Sequence, residues 1–218
     1  MSPDLADDEP SADPAAMLAL MQRQQRRTAH WVNRSYATML ITWAAAWIIG
    51  FAAIWSAAEG GGNPFFRVPT APAWIVFGLA LVTGAVVSIV MGVRSGAGVR
   101  GPSRLAGALY GWAWSLSMFG AGLLLGAVQR AGADAEVMAV LSPAIFALLV
   151  GVLYLAGGAL WRSPVQYALG IVMIATAVCA SYAGAPMNYL VYATIGPVAM
   201  LIVATLMLRG VIPAEGAR

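Results

Sequence analysis

The sequence predicts an all-α fold: a polytopic membrane bundle of six transmembrane helices preceded by an N-terminal amphipathic interfacial helix. Three observations carry this. Of the 218 residues, 61% are apolar and 10% charged, with a mean hydropathy of +0.78, the composition of a chain whose solvent is lipid. Six stretches reach the length a bilayer requires, since a hydrocarbon core of roughly 30 Å takes about 20 apolar residues at about 1.5 Å each. Runs such as Ala44-Ala45-Ala46-Trp47-Ile48-Ile49 are continuously apolar, whereas barrel strands alternate.

Residues 1–14, with Asp4, Asp7, Asp8, Glu9, Asp13 and three prolines, bury too little apolar surface to fold and are expected to form a disordered acidic tail. Residues 15–34 follow as an amphipathic juxtamembrane helix. Met17, Leu20, Met21, Thr28 and Trp31 fall near one face, with Arg23, Arg26 and Arg27 on the other. Arg23, Arg26, Arg27 and Trp31 are accordingly expected to anchor this helix to the lipid surface, where anionic headgroups attract each Arg by about 1 kcal/mol. Docking onto a cytoplasmic partner is the other reading. His30 is expected to be an interfacial side chain beside Trp31.

The transmembrane domain occupies 35–210. Its predicted spans run Ser35 to Ala57, Pro72 to Val93, Leu105 to Val128, Ala135 to Trp161, Pro164 to Gly184 and Asn188 to Gly210, and 211–218 form a short cytoplasmic tail. The first span starts too late and runs too long for a cleaved signal peptide, so it is expected to serve as its own insertion signal. Orientation follows from arginine. Ten of the twelve fall on one side of this map and two, Arg67 and Arg130, on the other, which predicts both termini in the cytoplasm of a bacterial inner membrane.

The even-numbered spans share a small-Pro step near the outer end (Ala71-Pro72, Ser142-Pro143, Ala185-Pro186) and a closing Arg (Arg94, Arg162, Arg209). Three hairpins of common descent produce that pattern, and so do the ordinary preferences of helix ends.

Much is excluded by what is missing. All twelve basic residues are Arg, against nine acidic ones, which leaves no broad basic face for nucleic acid. One Cys and one His rule out a disulfide, a paired-Cys metal site and any His-based triad or metal site within one chain. Away from their boundaries the spans carry no Asp, Glu, Lys, Arg or His, the usual markers of proton and ion pathways. No catalytic, cofactor-binding or metal-ligating residue is therefore assigned, and no cofactor is expected. Gly96-Ala97-Gly98-Val99-Arg100-Gly101 spells a dinucleotide fingerprint, but it follows no strand and reads as a flexible turn. Asn33-Arg34-Ser35 matches a glycosylation acceptor on the side predicted to be cytoplasmic.

Small residues that let helices approach in lipid recur on the third span, at Gly107, Gly111 and Ser115 and again at Gly122 and Gly126. That span is expected at the centre of the bundle, packing within the chain or between chains. Trp43, Trp47, Trp112 and Trp114 fall in one leaflet, where they either line a pocket for a flat apolar or cationic ligand or fill the core. On the last two spans Tyr182, Asn188, Tyr192, Thr194 and the helix-breaking Pro197 outline an uncharged polar cavity toward the outer face, or else pair helices. Cys179 is expected to be a buried thiol. Gly60-Gly61-Gly62-Asn63 and Phe65-Phe66 mark the longest outer loop, a candidate partner contact.

Met17-Leu18-Ala19-Leu20, Gln24-Gln25-Arg26-Arg27-Thr28 and Trp43-Ala44-Ala45-Ala46-Trp47-Ile48-Ile49-Gly50-Phe51 resemble a family of uncharacterised actinobacterial multi-pass membrane proteins. The resemblance implies six-helix topology and no activity. An amphipathic helix before six spans is also loosely similar to the permease halves of ABC exporters, although the chain has no sizeable outer loop or re-entrant hairpin between its fifth and sixth spans. The expectation is an integral membrane protein, not an enzyme, that acts through assembly with a membrane or cytoplasmic protein partner besides the lipid bilayer. The alternative is a small transporter or permease subunit for a neutral or hydrophobic solute.

Overall fold

The computed structural model describes residues 14–58, 67–96 and 102–212, with the side chains of residues 14, 25–32, 95–96 and 102–104 left out. The acidic tail, the Gly60–Phe66 loop, the 97–101 turn and the last six residues lie outside the described residues. So do the side chains of Arg26, Arg27, His30 and Trp31. Six α-helices follow in order: α1 (Pro14–Ala57), α2 (Thr70–Gly96), α3 (Pro102–Arg130), α4 (Ala135–Leu160), α5 (Pro164–Ala183) and α6 (Met187–Leu208). Each contains a segment long and apolar enough to cross a bilayer, beginning at Asn33 in α1 and at Leu105 in α3, so the chain is an integral membrane protein.

The helix ends have local causes. Asp134 caps α4 by accepting the Val137 N–H at 2.8 Å, and Ser163 caps α5 by accepting the Gln166 N–H at 3.1 Å, with Pro164 in the first helical position. Helix α1 departs from the expectation of a separate interfacial element, since it runs for 44 residues without interruption. No Gly or Pro occurs between Ala15 and Ile49, so nothing in the sequence stops the helix at the membrane boundary.

The neighbours run α2, α1, α6, α5, α4, α3, with the most extensive pairings between α4 and α5, α1 and α6, and α1 and α2. The core is built from α1, α4, α5 and α6: Leu40, Trp47 and Phe51 meet Tyr154, Met173, Tyr192 and Met200 there. Helices α2 and α3 sit at the two ends of the row and bury least.

The third helix is therefore not the centre of the bundle. A Cβ placed on Gly107, Gly111 or Gly122 would meet nothing within 4 Å, one on Gly126 would meet only the Arg130 side chain, and Ser115 is exposed, bonding back to the Gly111 carbonyl. The close approach occurs between α4 and α5. A Cβ on Gly151 would stand 2.9 Å from the Gly170 carbonyl oxygen, and one on Gly158 would stand 2.6 Å from the Tyr167 nitrogen. These two glycines lie seven apart, the spacing that returns to one seam in left-handed helix pairs, whereas GxxxG marks right-handed crossings.

Candidate functional site

Two aromatic and polar clusters hold the interior, and both are neutral. The first fills the seam of α1 and α6, where Tyr192 stands between the indole of Trp47 and the ring of Phe51, with centroids at 6.2 and 5.0 Å. Tyr189 lies against Phe51 at 6.4 Å, one turn before Tyr192. Phe51 also meets Phe77 of α2 at 5.1 Å, in the gap that Gly50 leaves open. Asn188 closes this seam at the end where α6 begins. Its amide donates to the Ala139 carbonyl of α4 at 2.9 Å and its carbonyl accepts the Tyr189 N–H at 2.9 Å, so a fully buried amide is paired on both sides.

The Tyr192 hydroxyl is the exception. It is fully buried and makes no hydrogen bond among the described residues; the nearby Ser181 hydroxyl instead donates to the Ala177 carbonyl of its own helix at 2.8 Å. The indole Nε1 of Trp55 is in the same condition. A buried polar group left this way costs about 1–3 kcal/mol.

The second cluster joins α3 to the α4–α5 turn. Tyr110 donates to the Leu153 carbonyl at 2.6 Å and accepts from the Gln166 side chain at 3.3 Å, both groups sitting over the bare backbone of Gly157. Trp161 and Trp114 meet the Tyr110 ring edge-on at 4.6 and 6.3 Å, and Trp114 continues to Tyr154 at 5.7 Å.

The predicted polar cavity does not form. Asn188, Tyr192 and Pro197 are buried, but Tyr182 is 89% exposed and Thr194 is exposed, donating to the Leu190 carbonyl one turn back. Thr194 lies two residues past Tyr192, about 200° around the helix, which turns it away from the seam. The four indoles also part: Trp47 is core, Trp43 donates to Ser88 of α2 at 2.9 Å, Trp114 packs on Tyr154, and Trp112 is exposed. Cys179 is exposed on α5, contrary to expectation. Arg23 is exposed too, while Arg26, Arg27 and Trp31 have side chains outside the described residues.

Sequence reasoning missed Tyr110, Tyr154 and Gln166. A polar Gln just inside a span, opposite the Gly157-Gly158 pair, was the available signal. Both clusters hold helices together through neutral hydrogen bonds and ring contacts; neither contains a group that titrates near pH 7. No family model, curated protein or solved structure matches this chain.

Proposed function

We propose that this integral membrane protein is non-enzymatic and acts through assembly, receiving a cytoplasmic or membrane-peripheral protein on the N-terminal extension of α1. One observation carries the reading. The apolar segment of α1 begins at Asn33, yet the helix starts at Pro14, so Pro14–Val32 adds about 28 Å of helix at about 1.5 Å per residue beyond the span. On that extension Met17, Leu18, Leu20 and Met21 are each more than half exposed. Exposed apolar side chains within a span face acyl chains; these lie outside one and call for another cover. Lying flat on the bilayer surface would require a bend, and the sequence places no Gly or Pro there to make it.

The arginine distribution supports a cytoplasmic location for this extension and for both termini, in a bacterial inner membrane. The permease alternative draws on Tyr192 and Pro197, but both are fully buried behind Trp47, Phe51 and Met173, which favours a packed seam over a passage.

Photo-crosslinking in intact membranes separates the cases. A photoreactive residue at Leu20 is expected to yield a discrete protein adduct that is lost when it is moved to Gln22, about 200° around the helix. Lipid adducts alone at Leu20 would reduce the extension to a surface anchor and end the assembly reading.

A further inference from the structure

The side of the bundle where α5 begins and α6 ends carries a groove of about 380 Å³, lined by apolar side chains that include Pro164, Ala168 and Val172 on α5 and Ala199, Ile202 and Val203 on α6. Both walls belong to membrane-spanning segments. Helices α5 and α6 are adjacent and joined by the short turn Gly184–Pro186, so the start of one and the end of the other share one end of the bundle. That end bears two arginines. Arg162 precedes Pro164 by two residues, and Arg209 caps α6 about 9 Å of helix rise beyond Val203. Both are exposed, and neither guanidinium has an ion pair among the described residues. Trp161 and Tyr167, also exposed at this end, are the residue types that settle at headgroup level.

The backbone of Arg162 adds an independent sign. Helices α3, α4 and α6 all end in the same pair of reversed hydrogen bonds: Ala133 N–H to the Val128 carbonyl with Gly132 to Gln129, Ser163 to Gly158 with Arg162 to Ala159, and Val211 to Leu206 with Gly210 to Met207. The residue at the turn must be left-handed, and two of the three helices place glycine there, Gly132 at φ 102° and Gly210 at φ 70°. The third places Arg162 at φ 53°, a conformation that costs every residue with a Cβ. Glycine would relieve that cost and lose the guanidinium two residues before Pro164, where the groove begins.

We infer that the groove and its two arginines bind an anionic diacyl phospholipid. One acyl chain lies between α5 and α6, and the headgroup phosphate is held by Arg162 and Arg209, whose planar donors match phosphate oxygens in pairs. Hydrocarbon is the occupant the walls accept, and a negative headgroup is what two exposed guanidinium groups select.

The test uses the full chain, delipidated in mild detergent, with bound lipid counted by native mass spectrometry and the melting temperature followed in parallel. Phosphatidylglycerol is expected to bind at least tenfold more tightly than phosphatidylcholine of the same acyl chains, and glycerol phosphate to produce no shift. The double variant Arg162→Gly, Arg209→Gln is expected to bring phosphatidylglycerol down to the phosphatidylcholine level while its lipid-free melting temperature holds or rises. Ala168→Leu, which fills the groove, is expected to weaken phosphatidylglycerol binding with both arginines intact. Equal binding of the two lipids, or a preference that survives the double variant, would overturn the site. Glycerol phosphate shifting the protein as strongly as phosphatidylglycerol would overturn the role given to the groove.

Discussion

Glycine serves two different ends in this bundle, and the contrast between α3 and the α4–α5 pair shows why. On α3, Gly107, Gly111 and Gly122 have open space where a side chain would stand. Between α4 and α5, Gly151 faces Gly170 and Gly158 faces Tyr167 so closely that a single added carbon would strike main-chain atoms. In lipid, where apolar burial gives helices no reason to associate, such close approach with its dispersion contacts is what binds them. A small residue matters only where a second helix has come down onto it.

The largest expected effect breaks this comparison directly. Gly151→Leu drives side-chain atoms into the Gly170 carbonyl and the Ile174 nitrogen, each 2.9 Å from the first added carbon. Backbone cannot swing aside like a flexible side chain, so a loss of about 3 kcal/mol or more, or failure to fold, is expected. Gly111→Leu on α3 is expected to change stability by less than about 1 kcal/mol, in the stabilising direction if helix propensity dominates. Paired melts in detergent decide it, and equal damage from the two substitutions would mean that α3 has a partner helix over Gly111.

Membrane crossing was legible in the sequence, and the interior arrangement was not. The span ends at Ala57, Ala135 and Pro164 follow from composition and from the caps at Asp134 and Ser163, all of which are local. The single helix of α1 was missed, although residues 15–49 contain no Gly or Pro to divide it. What hydropathy does not encode is which face of a span turns inward, because lipid and protein interior are alike in polarity. Ile202, exposed, and Met200, buried, are neighbours on α6 with nothing in their chemistry to separate them. The polar residues misled for a related reason: Tyr182 and Asn188 are near in sequence, yet one is exposed and the other sealed in the core. Burial of Asn188 depends on the Ala139 carbonyl, 49 residues away.

A middle-sized effect is expected where polar pairing, rather than close approach, joins two helices. Asn188→Leu removes the bond from α6 to the Ala139 carbonyl and the local bond to the Tyr189 N–H, leaving two buried backbone groups with one partner fewer. Hydrogen bonds between membrane helices contribute about 0.6 kcal/mol each on average and up to about 1.7, so a loss of about 1–2 kcal/mol is expected. Asn188→Asp, which keeps the acceptor, should restore the Tyr189 contact and not the one to Ala139. A melting temperature unmoved by Asn188→Leu would show that α4 and α6 are held at this end by their apolar contacts alone.

The smallest effect has the opposite sign and tests whether the α1–α6 seam is built for packing. Tyr192→Phe deletes a hydroxyl that is buried without a hydrogen bond and keeps the ring that lies against Phe51 at 5.0 Å and Trp47 at 6.2 Å. If the seam serves only to hold the helices together, the variant sheds a desolvated group and leaves every ring contact in place, and the melt should be unchanged or rise by the equivalent of up to about 1 kcal/mol. A clear loss of stability would mean that the hydroxyl has a partner in the membrane, such as a water or a small polar ligand reaching it past Ser181. The permease reading would then gain the binding group that the closed seam denies it. Tyr192→Ala cannot make this distinction, because it empties the space of a whole ring and would destabilise the bundle on either reading.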